Sequence, residues 1–179
     1  MEDIKIKHNI KYVSIIIYTK DLSNQIMILV GKEFNNKPNK TDVGLYSDLY
    51  GQLDKDETIP NAVSRILFEN TMNMVMDQFK FKKLISDNKI KYKINNNWIT
   101  FLYKVDYNQH MYLPDYYNKV FEYMNLCRNT TSMRFWLVES CPFNFFNKSE
   151  LKWINYNYIA NNLSIFKPLF IENLFANLS

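Results

Sequence analysis

Hydrophobic residues are spaced along the chain in patterns that predict both strands and helices. Residues 5–19 alternate and then run apolar, and residues 25–31 form a second apolar run, so the polar stretch between them predicts a β-hairpin. Further strands are expected where short apolar or alternating segments end at polar residues or at Gly51. These predicted strands are residues 45–50, 79–85, 89–94, 98–107, 134–139 and 150–154.

Three helices are predicted from apolar residues that recur at intervals of three and four. The clearest covers residues 59–70, where Thr58 or Glu57 can cap the first turn and Pro60 is tolerated within it. The other two begin at Pro114 and Pro168. The three apolar faces are Ile59, Ala62, Val63, Ile66 and Leu67; Tyr117, Val120, Phe121, Met124 and Cys127; and Phe170, Ile171, Leu174 and Phe175. Strands and helices together predict a mixed α and β chain.

Length and composition predict a single domain over residues 1–179, since the chain has 179 residues, of which 47% are hydrophobic. Its longest apolar runs are far shorter than the roughly 18 residues of a membrane helix, and its first residues are mixed in charge. We therefore expect a cytoplasmic protein with no membrane partner. Cys127 and Cys141 are expected to be reduced thiols. A net charge of +4 permits a nucleic-acid partner without establishing one.

Residues 51–73 carry the most specific pattern in the chain. Gly51 is followed after five residues by Glu57 and, after seven more, by Arg65, with Leu67 and Glu69 at the next matching positions. In this register and spacing the segment resembles the box of the Nudix hydrolase family. The resemblance implies a Nudix-type α/β/α sandwich around a mixed β-sheet, with the box helix facing a cleft.

Later residues extend the resemblance over most of the chain. Glu150, Trp153 and Ile154 look like the family's late Glu-x-x-Trp-aliphatic strand, and the helix after Pro168 lies where a Nudix fold has one. Within the box itself, four positions depart from the family pattern. They are Ile66 and Asn70 in place of two glutamates, Met72 in place of glycine, and Asn73 in place of an aliphatic residue.

The departures bear on the metal that Nudix enzymes use. In the family, three carboxylates at i, i+3 and i+4 share one helix face and gather Mg²⁺. Here Ile66, Glu69 and Asn70 offer one carboxylate and one amide oxygen. Glu69 is thus the candidate catalytic residue, Glu69 and Asn70 are weak candidate metal ligands, and we expect either no metal or weakly bound Mg²⁺ or Mn²⁺. Substitute acids could restore catalysis, the candidates being Asp54, Asp56, Glu57, Glu139 and Glu150.

Glu57 and Arg65 have a structural interpretation as well. In the family this pair braces the loop against the helix, and an arginine can hold a carboxylate by two hydrogen bonds in any protein. Gly51, Glu57 and Arg65 are therefore predicted to form the structural part of the box. We also predict that Ile66 points toward apolar neighbours.

Basic and aromatic residues supply the candidate ligand contacts. Lys80 and Lys82 alternate with phenylalanines and precede Lys89, Lys91 and Lys93, so they could form a ribbon that contacts phosphates. Lysines on the wet face of an antiparallel pair would show the same pattern. Trp98, Trp136 and Trp153 could stack on a base, although tryptophans pack more often in cores and rims.

These features favour a catalytically impaired Nudix-fold protein that binds a nucleotide or an RNA end, including a cap-like end. The alternative is a metal-dependent pyrophosphatase that acts on nucleoside diphosphate derivatives or capped RNA through Glu69 and substitute acids. A third possibility is an interaction subunit whose exposed aromatic residues contact a protein partner.

Overall fold

The computed structural model describes residues 9–34, 44–129 and 147–178. Of residues 127–129 it describes the backbone alone. The predicted strand 134–139, with Trp136 and Glu139, and Cys141 lie outside these ranges, as does the side chain of Cys127.

Seven strands form one mixed sheet. Their order is β3-β2-β1-β6-β5, while β4 pairs with β1 and β7 pairs with β2. β1 and β6 run parallel, and every other pairing among the described strands is antiparallel. The strands are β1 (Tyr12–Lys20), β2 (Ile26–Glu33), β3 (Tyr46–Ser47), β4 (Leu49–Gln52), β5 (Lys91–Asn95), β6 (Trp98–Lys104) and β7 (Lys148–Asn155).

Helices cover both faces of this sheet, which gives the α/β/α sandwich that the resemblance predicted. Residues alternate across β1, so that Val13 and Ile15 pack in the core beneath α1, α2 and α4, whereas Ile16 packs in a second core beneath α5 and α6. The helices are α1 (Ile59–Thr71), α2 (Gln78–Ser86), α3 (Tyr107–His110), α4 (Leu113–Asn129), α5 (Tyr156–Asn161) and α6 (Pro168–Leu178), with a 3₁₀ turn at Leu163–Ile165. No helix in the described ranges is long and apolar enough to span a membrane.

The box helix α1 follows its sequence signals closely. Thr58 caps it, since its side chain accepts a hydrogen bond from the backbone N–H of Asn61 at 3.4 Å, and Pro60 lies in the first turn. Ile66 is fully buried, as predicted. A Cβ on Gly51 would lie 2.8 Å from Cγ1 of Ile66, so this glycine permits the strand and the helix to approach closely.

Residues 79–85 were predicted as a strand, and this prediction is wrong. Asp77 caps a helix here, because its Oδ1 accepts hydrogen bonds from the backbone N–H groups of Phe79 and Lys80 at 3.1 Å each. Phe81 and Ile85, four residues apart, bury their side chains in the core shared with α1. The alternation of lysine and phenylalanine thus resembles a strand, but the segment is a helix. Its buried residues, Phe81 and Ile85, are four positions apart.

The other predicted elements within the described ranges are present with altered bounds. The hairpin, the strand within 150–154 and the helices near Pro114 and Pro168 are confirmed. The strand predicted for 98–107 ends at Lys104. Val120 was expected on the buried face of α4 but is 37% exposed.

Candidate functional site

The box loop and α1 are held together by Arg65. Its Nε and Nη2 donate to the two carboxylate oxygens of Glu57, at 2.9 Å and 2.7 Å, and Nη2 also donates to the Gln52 carbonyl at 3.0 Å. Nη1 lies 3.3 Å from the Glu69 carboxylate. These hydrogen bonds to Glu57 and the nearby negative charges raise the pKa of Arg65. We call Asp54, Glu57, Arg65 and Glu69 the Arg65 cluster.

This geometry matches the bracing role predicted for Glu57 and Arg65. A planar guanidinium that holds one carboxylate by two bonds and a backbone carbonyl by a third fixes the loop against the helix. The Glu69 carboxylate, which is 11% exposed, lies against the same guanidinium. One guanidinium thus offsets part of the negative charge of these carboxylates.

The three positions of the family's helix carboxylates do not fit Mg²⁺ here. Ile66 is buried hydrocarbon. Asn70 is also buried, and its Nδ2 donates to the Ile66 carbonyl one helical turn earlier, at 2.8 Å. Glu69 alone presents a carboxylate, and it already pairs with Arg65. Since a hard dication needs several oxygen ligands, this face lacks the donor set that the family uses.

Of the proposed substitute acids, Asp54 and Glu57 lie beside Arg65, and Glu139 lies outside the described ranges. Asp54 is 75% exposed, with its Oδ2 3.9 Å from Arg65, and Asp56 is exposed. Glu150 accepts a hydrogen bond from the Tyr46 hydroxyl at 3.0 Å, away from the box. Within the described ranges, no three His, Cys, Asp or Glu side chains lie close enough together to hold a metal ion.

A second candidate site lies on the opposite face of the sheet. It lies at Asp48, where the extended segment is interrupted between β3 and β4. Beneath α6 lies a small pocket of about 20 Å³, open to solvent on one side. We call it the strand-break pocket. It is lined by Asp48, Tyr50, Trp98, Lys167, Phe170 and Asn173.

Aromatic rings and a cation form one wall of the strand-break pocket. Trp98 stacks on Tyr12 with ring centroids 4.7 Å apart and lies 6.0 Å from the ring of Tyr50. The Nζ of Lys167 lies 4.3 Å from the centroid of Tyr50 and donates to its hydroxyl at 2.6 Å. A flat ring system and a negative charge could therefore be bound side by side.

Asp48 gives this pocket an unusual polar group. The residue is only 3% exposed, and none of the described residues donates a hydrogen bond to its Oδ2. Burial raises the pKa of Asp48 to about 6, although a hydrogen bond from Ser14 and the charge of Lys148 oppose the shift. A buried carboxylate oxygen without a donor is costly, so a ligand that donates here would be bound favourably.

A fully paired ionic cluster lies next to Asp48. Lys148 is buried, and its Nζ donates to Oε1 of Glu33 and to Oγ of Ser47, both at 2.6 Å. Burial alone would raise the pKa of Glu33, but the charge and hydrogen bond of Lys148 outweigh it and lower that pKa. A Cβ on Gly31 would lie 2.7 Å from Cδ of Lys148, so the glycine leaves room for this side chain.

The predicted ligand-binding residues within the described ranges do not come together. Trp98 lies in the strand-break pocket, whereas Lys80 and Lys82 are exposed on α2, whose inner side packs on the other face of the sheet. The ribbon expected from their alternation does not exist. Trp153 donates from Nε1 to the His110 carbonyl at 3.0 Å and packs against the core.

Sequence reasoning missed the residues of the strand-break pocket other than Trp98. Asp48 and Lys167 are far apart in the chain, and only sheet pairing and the placement of α6 bring them together. One signal was available, since Asp48 interrupts an apolar extended segment.

Comparisons with known proteins match the Nudix resemblance by structure alone. No family model and no curated protein matches the sequence. A Nudix hydrolase from M. smegmatis, RenU, is 10% identical with a TM-score of 0.47, over 94% of this chain and 88% of that one. A mutT/nudix family protein from Listeria innocua is 16% identical with a TM-score of 0.41, over 84% and 80%.

MERS1 of T. brucei, solved as a complex with GDP, is 14% identical with a TM-score of 0.44, over 84% of this chain and 50% of MERS1. The resemblance of this chain to Nudix proteins therefore rests on its own box residues, on the loop and helix that they form, and on the mixed-sheet sandwich around them.

Proposed function

We propose that the chain binds a nucleotide, either free or as the 5′ end of an RNA, with its base in the strand-break pocket. The observation that carries this proposal is the buried Asp48 carboxylate, which lacks a described donor at Oδ2 beside the rings of Trp98 and Tyr50. Aromatic rings stack on any base, and a carboxylate accepts hydrogen bonds from the N–H groups of a base edge.

The dimensions of the pocket suit the edge of a base rather than a whole nucleotide. Its volume of about 20 Å³ is far smaller than the roughly 300 to 1,000 Å³ of typical ligand pockets, so the rest of the base would lie at its open side. The sugar and phosphates would therefore lie outside it. Lys167 at its wall supplies a positive charge for the nearest phosphate.

The proposal also holds that hydrolysis is impaired, because the box has one helix carboxylate and this pairs with Arg65. The alternative remains a metal-dependent pyrophosphatase. Turnover of capped RNA or dinucleoside polyphosphates with Mg²⁺ or Mn²⁺ that disappears in Glu69→Gln would establish that alternative. We expect turnover near background. A cytoplasmic location also remains a prediction, to be checked by fractionation.

Calorimetric titration without metal tests the binding directly. GDP, ADP, UDP and a capped dinucleotide would each be titrated into wild type and Trp98→Leu. Loss of one base-stacking ring is expected to weaken binding by about tenfold or more, since stacking contributes roughly 1 to 3 kcal/mol per base.

Phe79→Leu provides the matched control, because Phe79 is 73% exposed on α2 and lies across the sheet from the pocket. It should bind as wild type does. Equal affinities for Trp98→Leu and Phe79→Leu would contradict base binding in the strand-break pocket. Failure of all four compounds to bind or to raise the melting temperature would favour a protein partner instead.

A further inference from the structure

The side of the sheet that holds Trp98 continues into a row of lysines on the edge strand β5. In the antiparallel pairing of β5 with β6, Lys91 lies opposite Leu102, Lys93 opposite Thr100 and Asn95 opposite Trp98. Directly opposite residues in such a pair project from the same face of the sheet. The lysines and the tryptophan of the strand-break pocket therefore share one face.

An open groove lies along this row, between β5 and the end of α6. Its volume is about 670 Å³, far more than that of the strand-break pocket, and we call it the lysine groove. Its lining includes Lys89, Lys91, Lys93, Leu102 and Asn177, and none of the described residues that line it is acidic. Its size and charge suit a phosphate chain rather than a single base.

Helix α6 connects the pocket and the groove. Asn173 lines the strand-break pocket, and Asn177, one turn later, lines the lysine groove and donates from Nδ2 to the Asn173 carbonyl at 2.6 Å. The Oδ1 of Asn177 is buried, and no described residue donates to it. Both cavities thus present an acceptor that lacks a donor in the described structure, namely Asp48 Oδ2 and Asn177 Oδ1.

Local contacts restrain two of the three lysines without neutralising the groove. Lys93 donates to the Ala176 carbonyl near the end of α6, and an ammonium has two further N–H donors. Lys89 lies 3.5 Å from Asp87 in a largely exposed pair, which water screens strongly. Lys91 is exposed between them.

We propose that the lysine groove binds the phosphates that follow a base held in the strand-break pocket, so that the preferred ligand is a single-stranded oligonucleotide. The proposal rests on the proposed function above. Alternate residues of a strand are about 6.6 Å apart, so Lys93 and Lys91 offer charges at successive steps away from Trp98. Such spacing is compatible with successive phosphates of an extended strand. RNA and DNA share this chemistry, and the experiment must separate them.

The test measures how affinity depends on oligonucleotide length. Guanosine 5′-monophosphate and its extensions by one, two and three uridines, with matching DNA oligomers, are titrated by calorimetry at several salt concentrations. Wild-type affinity should rise about tenfold between one and three nucleotides, because phosphate contacts dominate affinity for nucleic acids. A preference for the RNA series would indicate contacts to the 2′-hydroxyl, and equal affinities would indicate phosphate recognition alone.

Lys91→Gln combined with Lys93→Gln should abolish this rise and leave the affinity for the mononucleotide unchanged. The dependence of log K on log salt for the longest oligomer should become shallower by about 1.4, since each lost phosphate contact on a single strand contributes about 0.7. The control, Lys119→Gln with Lys152→Gln, removes two exposed charges from α4 and β7 and should keep the wild-type length dependence.

The two proposals fail in different ways. A mononucleotide that binds as tightly as the oligomers would overturn the lysine groove and leave the pocket intact. The same conclusion would follow if the control pair lost as much affinity as Lys91→Gln with Lys93→Gln. Oligomer binding that keeps its length dependence in Trp98→Leu at unchanged affinity would overturn the pocket. Absence of binding to every compound would overturn both.

Discussion

The box and the strand-break pocket differ in how their carboxylates are paired. In the box, Arg65 pairs with Glu57 and Glu69, and Ile66, at a metal position of the family pattern, is part of the core. The Oδ1 of Asn70 on the same helix is buried without a described donor, but it is a neutral amide oxygen. In the pocket, Asp48 is a carboxylate with a buried oxygen to which none of the described residues donates. Burying such an oxygen is costly for folding and is useful where a ligand donates to it.

This contrast separates a structural site from a candidate binding site. Because Arg65 pairs with Glu57 and Glu69, the box is suited to stabilise the loop and helix. Because its acceptor lacks a described donor, the strand-break pocket is suited to recognise a ligand. The spacing of a catalytic motif is therefore weak evidence for catalysis when its metal ligands are replaced.

The largest effect is expected from Lys148→Met, which leaves Glu33 buried without its cation. Breaking a buried ion pair on one side typically costs about 3 to 5 kcal/mol, because an uncompensated charge remains. Urea denaturation would measure this loss. Adding Glu33→Gln to the variant should recover part of the stability, and no recovery would mean that Lys148 does not serve to neutralise Glu33.

Arg65→Met should reduce the free energy of unfolding by about 2 to 3 kcal/mol. It removes charge-assisted hydrogen bonds to Glu57, each worth roughly 1.5 to 3 kcal/mol, partly offset by hydration since Arg65 is 31% exposed. Lys83→Met, at an exposed cation on α2, is the control and should change stability little. Equal effects of the two substitutions would show that the Arg65 cluster does not brace the box.

Asp48→Asn should increase the free energy of unfolding, by about 1 to 2 kcal/mol at pH 7.5, because it removes a buried charge. The pKa of Asp48 is raised from 3.8 to about 6 in the folded protein. As pH falls, the Asp48 carboxylate therefore becomes protonated at a higher pH in the folded protein than in the unfolded chain. Its contribution to stability therefore falls as pH rises from about 4 to about 6. The gain from Asp48→Asn should be largest above pH 6 and shrink toward pH 4, as measured by denaturation at both ends.

Glu33 provides the internal contrast for that experiment. Its lowered pKa means that its contribution is present above its ordinary value of 4.5 and is lost at lower pH. Because the charge of Glu33 acts on Asp48, this loss differs between the two proteins and is measured from the pH dependence of Asp48→Asn alone. A difference that stays constant from pH 4 to pH 7.5 would show that Asp48 is ionised normally in the folded protein.

The smallest effect concerns the end of the box helix. Met72, at the end of the helix, has a left-handed backbone with φ of 51°. The family pattern has glycine at this position. Asn88 and Asn96 adopt the same left-handed conformation elsewhere in the chain. Met72→Gly should raise the melting temperature through a gain below about 1 kcal/mol, because lost contacts with the core offset the relief of strain. Asn88→Gly should change it less. A lower melting temperature for Met72→Gly would mean that its packing outweighs backbone strain.

Much of the fold could be predicted because its signals are local. The helical spacing from Ile59 to Leu67, the cap at Thr58 and the prolines at two helix starts are each readable within a few residues. Local pattern gave the wrong prediction for residues 79–85. Lysines alternate with phenylalanines there, as in a strand, but the segment is a helix that buries Phe81 and Ile85. Contact with α1 decided between the two structures, and no local pattern contains that contact.

The strand-break pocket was largely unpredictable for a related reason. Its wall joins Tyr50, Trp98 and Lys167, which come from three separate parts of the chain. The parallel pairing of β1 with β6 brings Trp98 onto Tyr12, and sequence alone does not give this pairing. By contrast, Gly51, Glu57 and Arg65 lie within one loop and helix, so their interaction followed from spacing.

The most direct test of the central claim is a crystal structure of the protein with a capped dinucleotide and Mn²⁺. We predict density for a base against Trp98, with a polar edge within hydrogen-bonding distance of Asp48, and no anomalous manganese signal beside Glu69. A manganese peak coordinated by Glu69 and bridged to the phosphates, with the strand-break pocket empty, would contradict the account.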